Sequence, residues 1–252
     1  MMKIEKFFSL KNSVNVITEE DKVKTTNYIA VVDSFSRVTS KSIFLIDYQS
    51  KGFEYVSPNP LFLNGHTVDE VIEMGYEFYF KYVPPEDLEL LFKVNAVGFA
   101  YYETIPLCDR KKYSISYDFH LIAEGGRRVL IRQKLTPIFL NQEGKVWKSI
   151  CIVSLSPEQD SGNIILESDE LNVHRYYDLE VDCWKDLEKI NLTKREAEVL
   201  HFSMRGFCIT DIADMLFVSK DTVKFHRRKL FQKLDATNIT DAIMNAANRG
   251  LI

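Results

Sequence analysis

The chain has 252 residues, 46% hydrophobic and 27% charged, with a formal net charge of −4. That is the balance of an ordinary folded protein with room for two modest domains. No apolar run approaches the roughly 18 residues of a membrane span. The opening MMKIEKFFSLKN has too short an apolar part for a secretory signal, so a cytoplasmic location is expected. Cys108, Cys151, Cys183 and Cys208 are scattered without a C-x-x-C spacing, which predicts reduced packing thiols and no metal site. The net charge conceals an asymmetry. Residues 190–252 carry 10 Lys/Arg against 7 Asp/Glu, a balance of +3, which leaves 22 against 29 of the chain totals, or −7, before them. An acidic part joined to a basic one suits a regulatory module attached to a binder of polyanions.

In chain order, residues 1–26 are polar and charged without sustained periodicity, and a frayed or accessory segment is expected. Residues 28–38 place Ile29, Val32, Phe35 and Ser36 on one face of a short amphipathic helix. SIFLID (42–47) and residues 53–56 read as a hairpin ended by Pro58. Thr67 with Glu70 three residues later is a capping-box pattern. Pro84-Pro85-Glu86-Asp87 opens a longer helix with Leu88, Leu91, Phe92 and Asn95 along one side. Three longer strands follow. Residues 113–122 alternate Tyr113, Ile115, Tyr117, Phe119 and Leu121 against Ser114, Ser116, Asp118 and His120. Residues 128–139 set Val129, Ile131, Gln133 and Leu135 on one face, and residues 146–155 set Trp147, Ser149, Cys151, Val153 and Leu155. This order, with Ser-Pro-Asn at 57–59 and VPPEDLELL at 83–91, resembles a PAS domain over roughly residues 42–156. Residues 157–189 read as a linker, with 163–167 and 172–181 able to pair as a hairpin.

The most informative stretch is Asn191 to Leu234. Thr193-Lys194-Arg195-Glu196 is a capping box before a helix with Ala197, Leu200 and Met204 facing inward, and Gly206 marks its end. Thr210 is expected to cap a second helix burying Ile212, Ala213 and Leu216. Ser219 is expected to cap a third helix, and Thr240 a fourth. The third, residues 219–234, has six basic residues and one acid. Its apolar stripe is Val223, Leu230 and Leu234, and the opposite side carries Asp221, Lys224, Phe225, Arg228 and Gln232. Two short helices around a tight turn, the second basic, form a helix-turn-helix whose second helix fits a major groove.

With Leu192-Thr193, Arg195-Glu196, Gly206, Ile212-Ala213, Ser219, Thr222-Val223-Lys224, His226, Lys233-Leu234 and Asn238 in register, residues 191–252 resemble the LuxR-type (GerE or NarL-type) DNA-binding domain. Asp211 and Asp235-Ala236 depart mildly from the family pattern, and Asp235 tolerates a left-handed helix end. The resemblance implies base contacts from Lys224, Phe225 and Arg228. Ser219, Thr222, Lys229 and His226 are expected at the DNA backbone, His226 as an orienting hydrogen-bonding group, with Arg227 toward the packed side. The small-residue face Ala242, Ile243, Ala246 and Ala247 is either simple core or the dimer contact the family commonly makes there.

The expected fold is α+β. An accessory segment (1–26) precedes a PAS-like antiparallel sheet with flanking helices (27–156), the linker (157–189) and an all-α four-helix domain (190–252). No phosphate-cradling loop, clustered carboxylates or nucleophile with a His partner is visible, so no catalytic residue and no cofactor are expected. His120 lies on a polar strand face and His66 in a turn, which disfavours haem. Gln133, Ser149 and Cys151 either line a small-molecule pocket or are satisfied core residues. The expected function is a sequence-specific transcriptional regulator, a homodimer on double-stranded DNA, whose PAS-like part senses a small molecule or protein partner or sets dimerisation. The alternative is a signalling protein whose PAS-like part docks a partner, with DNA binding secondary.

Overall fold

Alternation at period 2 places the strands, and among the described residues eight of them make one antiparallel sheet. They are β1 (Ser42–Asp47), β2 (Gly52–Val56), β3 (Ser114–Ile122), β4 (Arg128–Leu140), β5 (Val146–Leu155), β6 (Gly162–Ser168), β7 (Val173–Asp178) and β8 (Cys183–Asp186), in the spatial order β2-β1-β5-β4-β3-β6-β7-β8. Helix α1 (Tyr28–Ser36) precedes β1, and α2 (Pro60–Leu63), α3 (Val68–Met74), α4 (Glu77–Tyr82) and α5 (Pro85–Glu103) lie between β2 and β3. The computed structural model describes residues 4–9, 11–14, 16–19, 21, 27–187, 190–248 and 251. They divide into two compact units, one ending at Leu187.

The core of the first unit lies between the sheet and its helices. Tyr117, Phe119, Leu121, Ile131, Trp147, Cys151 and Val153 are buried, on the faces that alternation predicts, and Leu91 and Val94 of α5 pack with them. Phe44 stacks on Phe62 with ring centroids 4.3 Å apart. Caps fix the helix entries. Glu70 accepts from the Thr67 amide at 2.7 Å, while the Glu70 amide donates to Thr67 Oγ1 at 3.3 Å. Asp87, buried in the first turn of α5, accepts from the backbone N–H of His120 at 2.6 Å and pairs with its ring at 2.9 Å, tying α5 to β3.

Several expectations need correction. The N-terminal stretch is not merely frayed: Phe7, Phe8 and Val14 are buried, and the Phe7 ring sits 4.7 Å from that of Phe92. Burial of two rings anchors a segment too short to show periodicity. Of the face expected on helix α1, Ser36 is buried and Val32 half-buried, whereas Phe35 is exposed, as is Val31 beside it. Polar contacts fix this orientation, since Tyr55 donates to Ser36 Oγ at 2.9 Å and Tyr28 to Glu54. Within the expected linker, residues 157–187 are no free connector, and 188–189 lie outside the described residues. The predicted hairpin forms as β6 and β7, but β6 pairs with β3 and β8 extends the sheet, so the unpaired edge of β3 is covered.

The polar faces are also more buried than alternation implies. Asp118 is fully buried, with Arg132 donating to both its oxygens at 2.8 and 2.7 Å. Lys148 is buried between Glu54, at 2.6 Å, and Asp47, at 3.2 Å. Leu155, expected inside, is exposed at the end of β5.

The second unit is all helical: α6 (Lys194–Met204), α7 (Ile209–Leu216), α8 (Lys220–Leu234) and α9 (Ile239–Asn248). Its core is Val199, Leu200, Ile212, Ala213, Val223, Leu230, Leu234, Ala242 and Ala246. Of the expected inward side of α6 only Leu200 is buried, with Val199 beside it, whereas Ala197 and Met204 are exposed, a shift of about a quarter turn. The cap of α7 is Cys208, whose amide donates to Asp211 at 3.0 Å, and Thr210 lies inside the helix. The cap of α9 is Asn238, accepting from the Asp241 amide at 2.9 Å, in place of Thr240. Ala242 and Ala246 are fully buried in their own domain, and of the small-residue face only Ile243, partly, and Ala247 face outward. The fold is α+β, an antiparallel PAS-like sheet with flanking helices followed by a four-helix helix-turn-helix unit.

Candidate nucleic-acid interface

The surface of α8 is built from its cap upward. Ser219 Oγ accepts from the Thr222 amide at 3.1 Å and lies 2.8 Å from Thr222 Oγ1, so these two hydroxyls close the first turn. Val223, Leu230 and Leu234 are fully buried, which turns Lys224, Phe225, Arg228 and Lys229 outward. Phe225 is 50% exposed, with the Lys229 ammonium 6.0 Å from its ring centre and the His226 ring at 5.4 Å. Lys224 pairs with Asp221 at 3.1 Å across one turn. His226 is half-buried at the edge of this face, and Arg227 is drawn to the packed side, over the Phe231 ring at 5.8 Å. Cations flanking an exposed aromatic ring can donate to base edges or phosphates while the ring covers a thymine methyl.

The residue pair that orients this helix is not legible from motif spacing. Glu196 closes the capping box of α6, accepting from the Thr193 amide at 2.7 Å, and also accepts from Lys233 at 2.7 Å, near the end of α8. Lys233 donates as well to the Asn191 carbonyl at 2.8 Å. Burial alone would raise the Glu196 carboxyl. The hydrogen bonds from Lys233 and Thr193 outweigh it and hold the group below its ordinary range. A depressed carboxyl contributes stability above its unfolded value, near pH 4.5, which is lost as pH falls through the folded value. Lys233→Met is therefore expected to destabilise the helical unit by about 1–3 kcal/mol at pH 7. The deficit should shrink toward pH 3, read by urea unfolding followed at 222 nm.

In the sheet unit, two neighbouring cavities of about 60 and about 20 Å³ lie between α5 and the sheet, both bounded by Tyr48, Asn95, Tyr117 and Leu135. Gln133 borders the smaller. It donates to Tyr117 at 2.7 Å, accepts from Tyr79 at 3.3 Å and meets Cys151 Sγ at 3.8 Å. Ser149 and Cys151 are fully buried but do not bound either cavity. Burial pushes the Cys151 thiol up, so it stays a neutral packing group, and it likewise keeps the hydroxyls of Tyr48, Tyr76, Tyr79 and Tyr117 un-ionised. The Tyr102 hydroxyl, on the wall of the larger cavity, is buried with no hydrogen-bond partner among the described residues. Among those residues no group of three or more His, Cys, Asp or Glu is placed to hold a metal ion, and no helix is long and apolar enough to cross a membrane.

Comparison with known proteins places the helical unit. Residues 190–246 match the family model described as bacterial regulatory proteins, luxR family. Similar curated proteins include the regulatory protein SdiA of Escherichia coli, 38% identical over 64 residues, which are 25% of this chain and 27% of that protein. The quorum sensing-dependent transcriptional regulator RpaR of Rhodopseudomonas palustris is 38% identical over 68 residues, 27% of this chain and 28% of that protein. The chain thus spans little more than a quarter of the length of these relatives. Among solved structures, Vibrio cholerae VqmA, described as a LuxR-type receptor, aligns over 88% of each chain at 18% identity with a TM-score of 0.30. The PAS/PAC sensor domain of a Marinobacter aquaeolei diguanylate cyclase aligns over 46% of this chain and 94% of that one, at 20% identity with a TM-score of 0.34. Scores this low support no conclusion about ligands or partners. Sequence match, capped helices and shared landmarks agree on one assignment: residues 190–246 are a helix-turn-helix domain of the bacterial regulatory proteins luxR family.

Proposed function

We propose that the chain is a cytoplasmic, sequence-specific DNA-binding transcriptional regulator, acting as a homodimer, whose sheet unit receives a signal. The observation that carries the reading is the outward grouping of Lys224, Phe225 and Arg228 on a helix whose other side is fully buried. On this reading Lys224 and Arg228 donate to guanine O6/N7 or adjoining phosphates, and Phe225 rests on a thymine methyl. Ser219, Thr222, Lys229 and His226 hold the phosphodiester backbone and fix register. Two heads on a palindromic site would need pairing elsewhere than the buried alanines of α9. The exposed Val31 and Phe35 of α1, together with Ile243 and Ala247, offer such surfaces. Selection of bound duplexes from a random library by the full chain tests the reading. Enrichment of a palindromic motif with steep salt dependence is expected, and no enrichment would refute it.

The signal fits a small uncharged molecule between α5 and the sheet, where Tyr48, Asn95, Tyr117 and Tyr102 offer neutral hydrogen-bonding groups around an apolar space. What supports this is the unpartnered Tyr102 hydroxyl at that wall. Removing a buried hydroxyl that bonds to nothing is nearly neutral or stabilising. Tyr102→Phe is expected to leave the unfolding free energy unchanged or to raise it by up to about 1 kcal/mol. It should also reduce recovery of any small molecule that mass spectrometry finds with the natively purified chain. A loss of 2 kcal/mol or more, about the cost of removing a satisfied buried partner, would show the hydroxyl to be bonded within the protein.

A further inference from the structure

Three helices of the C-terminal unit end in the same kind of turn. Beyond α6, α7 and α8 an N–H reaches the carbonyl five residues back: Phe207 to Phe202 at 3.2 Å, Val218 to Ala213 at 3.0 Å and Ala236 to Phe231 at 2.9 Å. This closure places a residue with left-handed backbone at the corner. The corner residues are Gly206 (φ 83°), Phe217 (φ 54°) and Asp235 (φ 50°). Glycine adopts that conformation freely and aspartate tolerates it, whereas the Cβ of phenylalanine opposes it. Phe217 is also 94% exposed, so its ring packs on nothing in its own domain. Neither the turn nor the core gains from phenylalanine here. Glycine would close the same corner with less strain and without displaying an aromatic ring to water.

The ring's use therefore lies outside the domain, and its setting indicates with what. Phe217 stands two residues before the Ser219 cap of α8, the helix with six basic residues and one acid between 219 and 234. Lys220, Lys224, Arg228 and Lys229 are all exposed on that helix. An occupant meeting this surface is polyanionic, and it must also offer an apolar face to a phenyl ring. Duplex DNA does both, through its phosphates and its deoxyribose rings. With the start of α8 directed into the major groove, the preceding corner comes close to a flanking strand. We propose that Phe217 is a DNA-contact residue whose ring packs against deoxyribose of the strand bordering the groove that α8 reads. The proposal rests on the reading that α8 binds DNA.

A sugar contact is independent of sequence and releases no counterion, which separates it from base reading and from a phosphate contact. The test uses the full chain with Phe217→Gly and Phe217→Asn. Each is titrated against the duplex that the wild type enriches from a random library and against a mixed-sequence 30-base-pair duplex. Both variants are expected to bind both duplexes about fivefold more weakly, with the salt slope unchanged, because no ion pair is lost. The thermal midpoint of the helical unit should equal or exceed that of the wild type, because Gly and Asn both accept the corner. Affinities within twofold of wild type on both duplexes would overturn the proposal. So would a loss confined to the enriched duplex, or a salt slope lowered by about one. A fall in reporter transcription at unchanged DNA affinity would assign the ring to a protein partner and overturn it likewise. Failure of the wild type itself to enrich any duplex would instead refute DNA reading by α8.

Discussion

The double substitution Lys224→Ala with Arg228→Ala is expected to abolish sequence-selective DNA binding while leaving the helical unit folded. Both side chains are exposed, and neither contributes to the core formed by Val223, Leu230 and Leu234. Lys224 pairs with Asp221, in a surface pair of little energetic weight. The fold should therefore keep its thermal midpoint within a degree or two. Binding should fall steeply. Each well-made base contact contributes about 1–3 kcal/mol of discrimination, so losing two lowers affinity for the preferred site by roughly 30-fold to about 20,000-fold. Binding to mixed-sequence duplex should fall far less, leaving the variant with little preference. A mobility shift with both duplexes at fixed salt measures the ratio directly. An unchanged ratio would remove Lys224 and Arg228 from base reading. Phe225→Ala should act more narrowly, flattening the preference only at positions where a thymine methyl is read.

How far the sequence discloses this surface depends on the range of the interactions that build it. The stripe of α8 and the caps at Thr193 and Ser219 are local, involving residues three or four apart, so a linear reading finds them. Caps one or two residues away from the obvious hydroxyl are harder. Cys208 takes the cap position because the Asp211 carboxylate three residues on accepts from its amide, and Asn238 because its own side chain accepts from the Asp241 amide. Helical period groups Val32, Phe35 and Ser36 of residues 28–36 on one face but does not show that the protein buries its Ser36 side and leaves Phe35 out. Tyr28 and Tyr55 decide that through hydrogen bonds to Glu54, Asp33 and Ser36. Pairings between distant residues are the least legible. Glu196 and Lys233 stand out separately as family landmarks, yet only the fold brings them to 2.7 Å. The placement of β6 beside β3, which turns an expected linker into sheet, depends on an edge that exists only after β3 and β4 have paired.

The largest expected effect on stability lies in that sheet. Asp118 on β3 and Arg132 on the paired strand β4 face each other directly in register. The carboxylate is fully buried and the guanidinium mostly so, joined by two hydrogen bonds at 2.8 and 2.7 Å, with Glu158 a further 3.3 Å partner of Arg132. Arg132→Met preserves much of the side-chain bulk but leaves the Asp118 charge in the interior without a counter-ion. Breaking such a pair costs about 3–5 kcal/mol. The double variant Asp118→Asn with Arg132→Met should recover a large part of that loss, because no charge is then stranded. Both tryptophans of the chain, Trp147 and Trp184, lie in this unit, so their fluorescence in urea follows the sheet separately from the helical domain. A loss below about 1 kcal/mol would mean that Asp118 is compensated by something other than Arg132.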